Sequence, residues 1–397
     1  MRSIFWLYLF LFVAFFDLHA QYPILTPYAV SLGAAPTFIG LMMGIYSFTH
    51  LPGNLLAGYG VDRYGSRIFI ICSLIGAGIL MVLQAHVSNP WELLVVRSIS
   101  GFVLAFLSPA CLALLAQFAQ NQVQQGKLMA GNGLVHTLAS VVSPAAGVYL
   151  VAKLGFTASF QALGIGLIVI GMMSILFIRS PRDMRQLSAA NQALRQQTEG
   201  QASPVASDTA NKIPWSFYIL PLAISCSQGI LFFELPFSGK ELNSLMHSGI
   251  LFTSVSLGAL CTLSMLFLNH YPARTRTWAG AMSLALLFFI LAVKWTIPMV
   301  VILFGIGMMK GIVLPALSTH LLQLSGGVRY GRIFSYLSIA FSIGSFLGPL
   351  IAGQFRDMIS PYFIAFVILM TAILLMPMKK PIMPASTAPQ KLSRTIG

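Results

Sequence analysis

Long apolar segments recur along the whole 397-residue chain, and short polar stretches separate them. A helix needs about 20 predominantly apolar residues to cross the ~30 Å hydrocarbon core of a bilayer. We count twelve segments of suitable length and therefore predict an all-α membrane protein with twelve transmembrane helices in two six-helix halves. The expected bounds are 4–30, 36–58, 66–86, 91–116, 128–152, 158–178, 214–237, 249–269, 277–294, 297–322, 331–353 and 360–378.

The first segment has an alternative interpretation. A short apolar run followed by Leu18-His19-Ala20 imitates a secretory signal peptide and its cleavage site. The apolar run resumes at Pro23-Ile24-Leu25, however, and the segments that follow are also long enough to span a membrane. We therefore interpret the first segment as a transmembrane helix.

One long hydrophilic stretch interrupts the pattern between the sixth and seventh segments. It reads "RSPRDMRQLSAANQALRQQTEGQASPVASDTANK", a composition typical of a partly disordered linker. Two six-helix halves joined in this way are typical of a secondary transporter, which binds its substrate between the halves near the membrane midplane. The predicted units are an N-terminal half (1–178), a cytoplasmic linker (179–213), a C-terminal half (214–378) and a cytoplasmic tail (379–397).

Composition and charge agree with a membrane protein and give its orientation. The chain is 57% hydrophobic and 8% charged, and its mean hydropathy is +0.83. With the N-terminus inside, seventeen of the 23 Lys and Arg residues fall on the cytoplasmic side, as the positive-inside rule requires. This orientation explains most of the net charge of +14, so nucleic-acid binding is not needed. The exceptions are Lys153, Lys240, Lys294 and Arg356 outside, and Arg97 and Lys310 within segments.

Nothing in the chain points to an enzyme. No compact group of histidines and acids at metal spacing and no nucleophile motif is present in the sequence. The four cysteines stand at unrelated spacings inside predicted helices, which indicates neither a disulfide framework nor a metal site: Cys72, Cys111, Cys226 and Cys261. We expect no cofactor and no bound metal.

The polar loop after the second segment carries the sharpest motif. It reads "GYGVDRYGSR", and it resembles the G-x-L-A-D-R-x-G-R-R loop of the major facilitator superfamily, with mild departures at Gly60, Val61 and Ser66. A tight turn between two helices needs glycine, and an acid there can cap the N-terminal end of a neighbouring helix. The resemblance implies a conformational gate formed by Gly58, Asp62, Arg63, Gly65 and Arg67.

Further partial matches to this superfamily lie inside the segments. Arg97 followed by Gly101 resembles a fourth-helix pattern tied to proton coupling, although Arg97 could also simply snorkel to the outer surface. The fifth and eleventh segments carry "SPAAG" and "GSFLGPLIAG", which resemble the Gly-Pro stretch of its antiporters. Small residues there let helices approach closely, and plain packing would use them too. The expected packing residues are Pro144, Gly147, Gly344, Gly348 and Pro349.

Polar side chains within the apolar segments are the candidates for function, because ionisable groups in a membrane usually face a cavity or a partner. Asp17 is the first candidate for proton coupling and Glu234 the second, with Arg97 as a third member. Gln21 lies four residues after Asp17 and shares its helix face, whereas His19 points elsewhere. The alternative is that Asp17 pairs with Arg97 or another base as a structural ion pair.

The predicted substrate follows from the signs of these charges. Lys310 and Arg97 repel a cation and attract a carboxylate, which favours a polar, carboxylate-bearing or zwitterionic solute. The expected substrate-binding residues are Lys310, His136, Gln21 and Gln228.

The architecture is most similar to the twelve-helix drug:proton antiporters of the superfamily. The stretches "DLHAQYPILTPYAVSLGA" and "HLPGNLLAGYGVDRYG" also resemble exporters of opine-type metallophores such as staphylopine. We therefore expect a proton-coupled exporter of a small zwitterionic solute, with an opine-type metallophore as one candidate. The alternatives are a multidrug pump for amphipathic compounds, a metabolite importer and a non-transporting receptor. We expect a monomer in the cell membrane, with both termini cytoplasmic and with the substrate, protons and lipid as its partners.

Overall fold

The structure is a computed structural model that describes residues 2–118, 122–178, 215–238, 242–265, 270–324 and 330–376. The predicted linker 179–213 and tail 379–397 lie outside these residues. Within the described ranges the chain is helical and contains no strand. The helices are α1 (Arg2–Ser31), α2 (Pro36–Tyr64), α3 (Ser66–Gln84), α4 (Pro90–Leu104), α5 (Leu107–Gln117), α6 (Gln122–Phe177), α7 (Ile219–Glu234), α8 (Leu242–Ser264), α9 (Ala273–Ala292), α10 (Met299–Leu324), α11 (Tyr330–Phe355) and α12 (Pro361–Leu375).

These helices agree with twelve membrane crossings. In the described part of the chain, nine helices are long and apolar enough to span a membrane. One of the nine covers Gly131–Phe177, and its 47 residues provide two crossings that separate where Gly155 leaves helical geometry at φ 78° and ψ 172°. Helices α4 and α5 together form one further crossing among the nine. The 29-residue α2 and the 15-residue α12 account for the rest.

Local sequence signals set several helix ends. Pro36, Pro90 and Pro361 occupy the first positions of α2, α4 and α12, where a missing backbone N–H costs nothing. Asn89 caps α4 by accepting the Glu92 backbone N–H at 2.9 Å. Gly65 joins α2 to α3 at φ 86°, a backbone conformation that side chains rarely adopt.

The two halves repeat one packing scheme. In the N-terminal half α1 packs on α6, α2 on α4, and α3 on α6. In the C-terminal half α7 packs on α11, α8 on α10, and α9 on α12. When the membrane crossings are numbered within each half, the first packs on the fifth, the second on the fourth and the third on the sixth in both halves. The chain is therefore built from two structural repeats, the organisation typical of secondary transporters.

The halves meet through α2 against α11 and α6 against α8. A Cβ built on Gly40 would overlap the Pro349 carbonyl oxygen, and one on Gly353 would overlap that of Pro36. Across the second pair, Thr253 donates its hydroxyl to the Val141 carbonyl at 3.2 Å. The Thr253 contact lies at the middle of α8, whereas the glycine contacts lie near the start of α2 and the end of α11, at the end of the bundle where α1 terminates. We call this the contact end; the predicted topology places it outside the cell.

Several predicted boundaries differ from the structure. Helix α2 continues to Tyr64, beyond the predicted end at 58, and α8 already begins at Leu242 rather than at 249. Hydropathy reports the part of a helix that sits in hydrocarbon, whereas a helix can extend past the membrane with polar residues. Each of these helices therefore includes a polar turn that the apolar pattern does not mark.

Candidate functional site

A chain of hydrogen bonds connects Asp17 to Arg97 through the side chain of Gln21. The Gln21 amide nitrogen donates to Asp17 Oδ2 at 3.0 Å, and Arg97 donates to Gln21 Oε1 at 2.7 Å. All three side chains are buried, with exposed fractions of 3%, 3% and 4%. The predicted shared face of Asp17 and Gln21 is present, because residues four apart in a helix lie above one another. The structure therefore brings together three of the predicted site residues.

This network differs from a direct ion pair. The neutral amide of Gln21 stands between the carboxylate and the guanidinium, and Asp17 Oδ1 has no hydrogen-bond partner among the described residues. A buried charge is normally compensated by a close partner and further hydrogen bonds. Asp17 thus keeps one oxygen without a partner in a buried place, an arrangement in which a carboxyl group can bind a proton.

Arg97 also contacts an aromatic ring that the sequence did not single out. Its guanidinium carbon lies 4.6 Å from the ring centre of Tyr46 on α2, within the range of a cation–π contact. Tyr46 is buried, with 9% of its surface exposed. The snorkelling alternative for Arg97 does not describe this geometry, because the side chain turns toward α1 and α2 inside the bundle. Arg97 therefore contacts the Gln21 side-chain amide and the Tyr46 ring at the same time.

A second group of polar side chains surrounds His19, on another face of α1. Its Nδ1 lies 2.7 Å from the Phe15 carbonyl oxygen, so Nδ1 is the donor and Nε2 remains as an acceptor in the neutral ring. The rings of His19 and His136 are 5.0 Å apart and edge-on. His19 does point away from Asp17, as predicted, but it faces a second candidate residue. A helical-face argument could have found this only with knowledge of which helix lies opposite.

Lys310 on α10 joins this group from the C-terminal half. Its ammonium lies 5.6 Å from the ring centre of Phe232 and within electrostatic reach of both His19 and His136. Tyr22 packs against Phe232 with ring centres 4.7 Å apart and so links α1 to α7. The two imidazoles and the ammonium therefore lie near Tyr22 and Phe232, which we call the aromatic wall, between the halves.

Gln228 lies in a small cavity that reaches from the aromatic wall to Arg97. The cavity crosses the boundary between the halves, and Gln228 contributes to it from α7. The other lining residues are Tyr22, Leu25, Met43, Tyr46, Ser47, Arg97, Gly229, Phe232, Ser345 and Pro349. The predicted residues Gln228 and Arg97 therefore face one space, and both repeats build it.

Glu234 lies apart from these groups, at the last position of α7. Its Oε1 is 2.9 Å from Arg356 Nε, and the Arg356 guanidinium stacks on Phe237 at 3.9 Å. This places the second candidate for proton coupling in an ion pair at the contact end. The sequence located Glu234 correctly towards the end of its helix, but it did not reveal the partner.

The loop motif ties parts of the N-terminal half together. Arg67 donates to the Ile175 carbonyl near the end of α6 at 2.7 Å, while Arg63 donates to Tyr59 in its own helix at 3.0 Å. Gly65 provides the turn. Gly58 and Asp62 lie within α2, but their surroundings fall outside the described part of the structure. Their predicted gating role remains a hypothesis.

The glycines of the antiporter-like stretches pack helices of the same half. A Cβ on Gly147 would meet the Ala20 carbonyl oxygen of α1, and those on Gly344 and Gly348 would overlap backbone of α7. Pro349 makes the contact between the halves, through its carbonyl oxygen beside Gly40. Pro144 lies where α8 approaches, and its carbonyl oxygen is close to Gly249. The residues expected at a sliding interface thus divide between packing within a half and contact between halves.

Comparison with known proteins identifies the family. The model of the Major Facilitator Superfamily matches residues 7–293. Quinolone resistance protein NorA of Staphylococcus aureus (strain MSSA476) is 23% identical over 375 residues, covering 90% of each chain. Multidrug resistance protein MdtG of Escherichia coli (strain 55989 / EAEC) is 25% identical over 366 residues, covering 87% of this chain and 85% of the relative.

A solved structure shows the same fold. The xylose transporter XylE from E. coli, in an inward-open conformation, superposes with a TM-score of 0.65 at 14% sequence identity, and the match covers 94% of each chain. At this identity the likeness concerns the fold alone. The family match, the repeated helix packing and the polar groups between the halves agree: the chain belongs to the Major Facilitator Superfamily and is a multi-pass membrane transporter rather than an enzyme.

Proposed function

We propose that this protein is a proton-coupled exporter of an amphipathic organic solute that carries a carboxylate and, in the typical case, a second, positively charged group. The single observation that carries the proposal is the buried Asp17–Gln21–Arg97 network beside a cavity that both halves line. The names of NorA and MdtG favour export of drug-like compounds. A zwitterionic quinolone combines an aromatic body with a carboxylate and therefore fits both lines of support.

The geometry around Asp17 supports proton coupling. A proton can add at Oδ1, the oxygen without a partner among the described residues, and it removes the negative charge that Oδ2 offers to Gln21. The hydrogen bond from the Gln21 amide then weakens, because bonds to charged acceptors are about twice as strong as neutral ones. Gln21 in turn holds Arg97 at 2.7 Å. Protonation therefore changes what holds Arg97 beside Tyr46 in the cavity wall.

Substrate recognition uses the second polar group. The ammonium of Lys310 attracts a carboxylate, and the acceptor nitrogen of His19 can take a hydrogen bond from the substrate. Tyr22 and Phe232 provide aromatic surface at the same place. Because Lys310 comes from the C-terminal half and His19 from the N-terminal half, a substrate bound to both would hold the halves together in one state of the cycle.

The proposed orientation follows the charge distribution. We place both termini in the cytoplasm, which puts the contact end outside, and we propose a monomer. In this orientation the halves touch at the outer side, the arrangement expected of a state that receives its substrate from the cytoplasm.

The test is uphill transport in proteoliposomes with an imposed pH gradient and a zwitterionic quinolone as the probe. We expect accumulation that requires the gradient and disappears with a protonophore. The methyl ester of the same quinolone lacks the carboxylate and should be transported poorly. Equal transport with and without the gradient would overturn proton coupling, and equal transport of acid and ester would overturn carboxylate recognition.

A second candidate substrate is an opine-type metallophore, and the paired imidazoles are the observation that favours it. In the described ranges no three His, Cys, Asp or Glu side chains are placed to hold a metal ion. His19 and His136 could instead complete the coordination of a metal that arrives already chelated. Counterflow with a carboxylate-rich nickel or zinc chelate tests this candidate. Exchange of labelled substrate would also separate a transporter from a receptor, which binds without exchanging.

A further inference from the structure

A cavity opens at the contact end of the C-terminal half, away from the Asp17 network. It lies between the ends of α7, α9 and α11 and the starts of α10 and α12. Its polar lining includes Lys294, Arg356 and Glu234, and its apolar lining includes Ile290, Met299 and Ile302. Lys294, Arg356 and the three apolar residues have no role in the transport mechanism proposed above.

The charged part of this cavity contains both signs. The ion pair with Glu234 engages Arg356 at Nε, and an arginine offers five N–H donors in all, so its terminal nitrogens are suited to a further anionic group. Lys294 contributes a second cation from the connection between α9 and α10 and is exposed. Its φ of 52° belongs to the turn that ends α9, in which the backbone N–H groups of Lys294 and Trp295 donate to the Leu291 and Ile290 carbonyl oxygens and so fix both residues beside the cavity.

The apolar part of the cavity points to a ligand that belongs to the membrane. Trp295 is 60% exposed at the mouth, and Ile297 beside it is 40% exposed. Tryptophan is enriched at the level of the lipid headgroups, where its amphipathic ring faces both water and hydrocarbon. Below the charges, Ile290, Met299 and Ile302 continue the wall along the helices. A ligand that fits has a charged head and an apolar chain.

We propose that this cavity binds the headgroup of a zwitterionic phospholipid. Lys294 and Arg356 hold the phosphate, Glu234 holds the ammonium group, and the first part of an acyl chain lies along the apolar wall. The start of α12, which begins at Pro361 on the cavity lining, adds the positive end of a helix dipole near the phosphate. Because the phosphate would share Arg356 with Glu234, the ammonium of a zwitterion supplies Glu234 with a second cation that a purely anionic lipid lacks, so charge complementarity favours the zwitterion.

Bound lipid would act on the contact between the halves. Arg356 follows Gly353 by three residues, and Gly353 packs against Pro36 and Gly40 of α2. A headgroup that holds Arg356 therefore also holds the end of α11 that α2 touches. This inference goes beyond the proposed transport activity, since lipid binding is measured on the resting protein and does not depend on substrate.

The test uses the full-length protein purified in detergent and phosphatidylethanolamine with brominated acyl chains, which quench nearby tryptophan. We expect saturable quenching, and we expect the Trp295→Phe variant to lose that component while Trp91→Phe keeps it. Lys294→Gln and Glu234→Gln should each weaken binding about fivefold, as expected for one charge at a membrane surface. Lys153→Gln is the matched control, an exposed lysine at the same end of the N-terminal half, and it should change nothing.

Two competing ligands test whether the site prefers a zwitterionic or an anionic headgroup, and whether it binds lipid or free phosphate. Brominated phosphatidylglycerol should bind more weakly than phosphatidylethanolamine, and Glu234→Gln should remove that difference. Equal affinity for both lipids in the wild type would overturn the zwitterion proposal. Displacement of the lipid by inorganic phosphate at equal concentration would show a phosphate site instead. Quenching that survives Trp295→Phe unchanged would overturn the site itself, and monodisperse elution with a cooperative melting transition well above the assay temperature excludes misfolding of the variants.

Discussion

The two buried acids of this transporter, Asp17 and Glu234, are held in opposite ways. Glu234 touches its basic partner directly, with 2.9 Å between Oε1 and Arg356 Nε, at the end of its helix. Asp17 lies well inside α1 and reaches Arg97 only through the amide of Gln21. A direct pair fixes a charge, whereas a relayed one leaves the carboxylate free to change its protonation. The comparison favours Asp17 as the group that couples protons and Glu234 as part of the contact end.

Replacement of Asp17 should have the largest effect. Asp17→Asn mimics a permanently protonated acid, so we expect uphill transport to fall to the level of empty liposomes while substrate binding and downhill exchange persist. Proton-driven transport, equilibrium binding and thermal melting are measured on the same preparation. Asp17→Glu is the matched variant and should restore part of the uphill transport.

The structural-pair alternative for Asp17 gives the opposite result in the same experiment. If the carboxylate only compensates Arg97, its removal strands a buried cation and costs about 3–5 kcal/mol of stability. A variant with a much lower melting temperature would then result. A stable Asp17→Asn protein that still transports uphill would contradict the coupling role and return attention to Glu234.

Breaking the relay at Gln21 comes second. Gln21→Met keeps the size of the side chain but removes a hydrogen bond from each of two buried charges, and we expect about 3 kcal/mol of destabilisation. Uphill transport should fall strongly, since Asp17 no longer communicates with Arg97. Gln161→Met is the matched control, because Gln161 contacts His86 at an exposed place. Equal melting temperatures for Gln21→Met and wild type would contradict the relay.

Replacement of Lys310 tests substrate recognition rather than proton coupling by the two acids. Lys310→Ala should raise the apparent KM for a carboxylate-bearing quinolone roughly tenfold, the loss expected for one charge-assisted hydrogen bond. Lys310→Arg keeps the cation and should change KM much less. Concentration-dependent counterflow measures both variants. An unchanged KM in Lys310→Ala would leave Lys310 as a structural charge.

Glu234 should give the smallest effect on coupling. Glu234→Gln weakens the link to Arg356, and we expect a loss of about 1 kcal/mol with slower transport that still requires the proton gradient. Arg356→Gln should cost more stability, because it removes the same ion pair and also the guanidinium that stacks on Phe237, and its transport should likewise still require the gradient. Gradient-independent transport by Glu234→Gln would reverse the assignment of the two acids.

The architecture and one side-chain relation were predictable from the sequence. The spacing of apolar segments gave the crossings, and the four-residue separation of Asp17 and Gln21 placed them on one face of α1. Both signals are periodic and depend on a single helix. The turn at Gly65 was equally readable, since two adjoining helices with little chain between them require a glycine there.

Relations between helices were not predictable. Tyr46 beside Arg97, His19 facing His136 and Arg356 beside Glu234 all join residues far apart in the sequence. A helical pattern shows which face is polar but not which helix lies opposite. The same limit applied to the glycines of α11, because close packing within a half and contact between halves use identical residues.

The joint between α2 and α11 has a consequence for how the transporter opens. Gly40, Pro349 and Gly353 bring main chain against main chain, so the attraction there is short-ranged dispersion that is lost once the surfaces part by an ångström or so. Such a joint has little resistance beyond its first small displacement and little preference for any intermediate gap. We therefore expect this end of the bundle to be either closed or fully separated, with no populated state in which the two helices are partly apart.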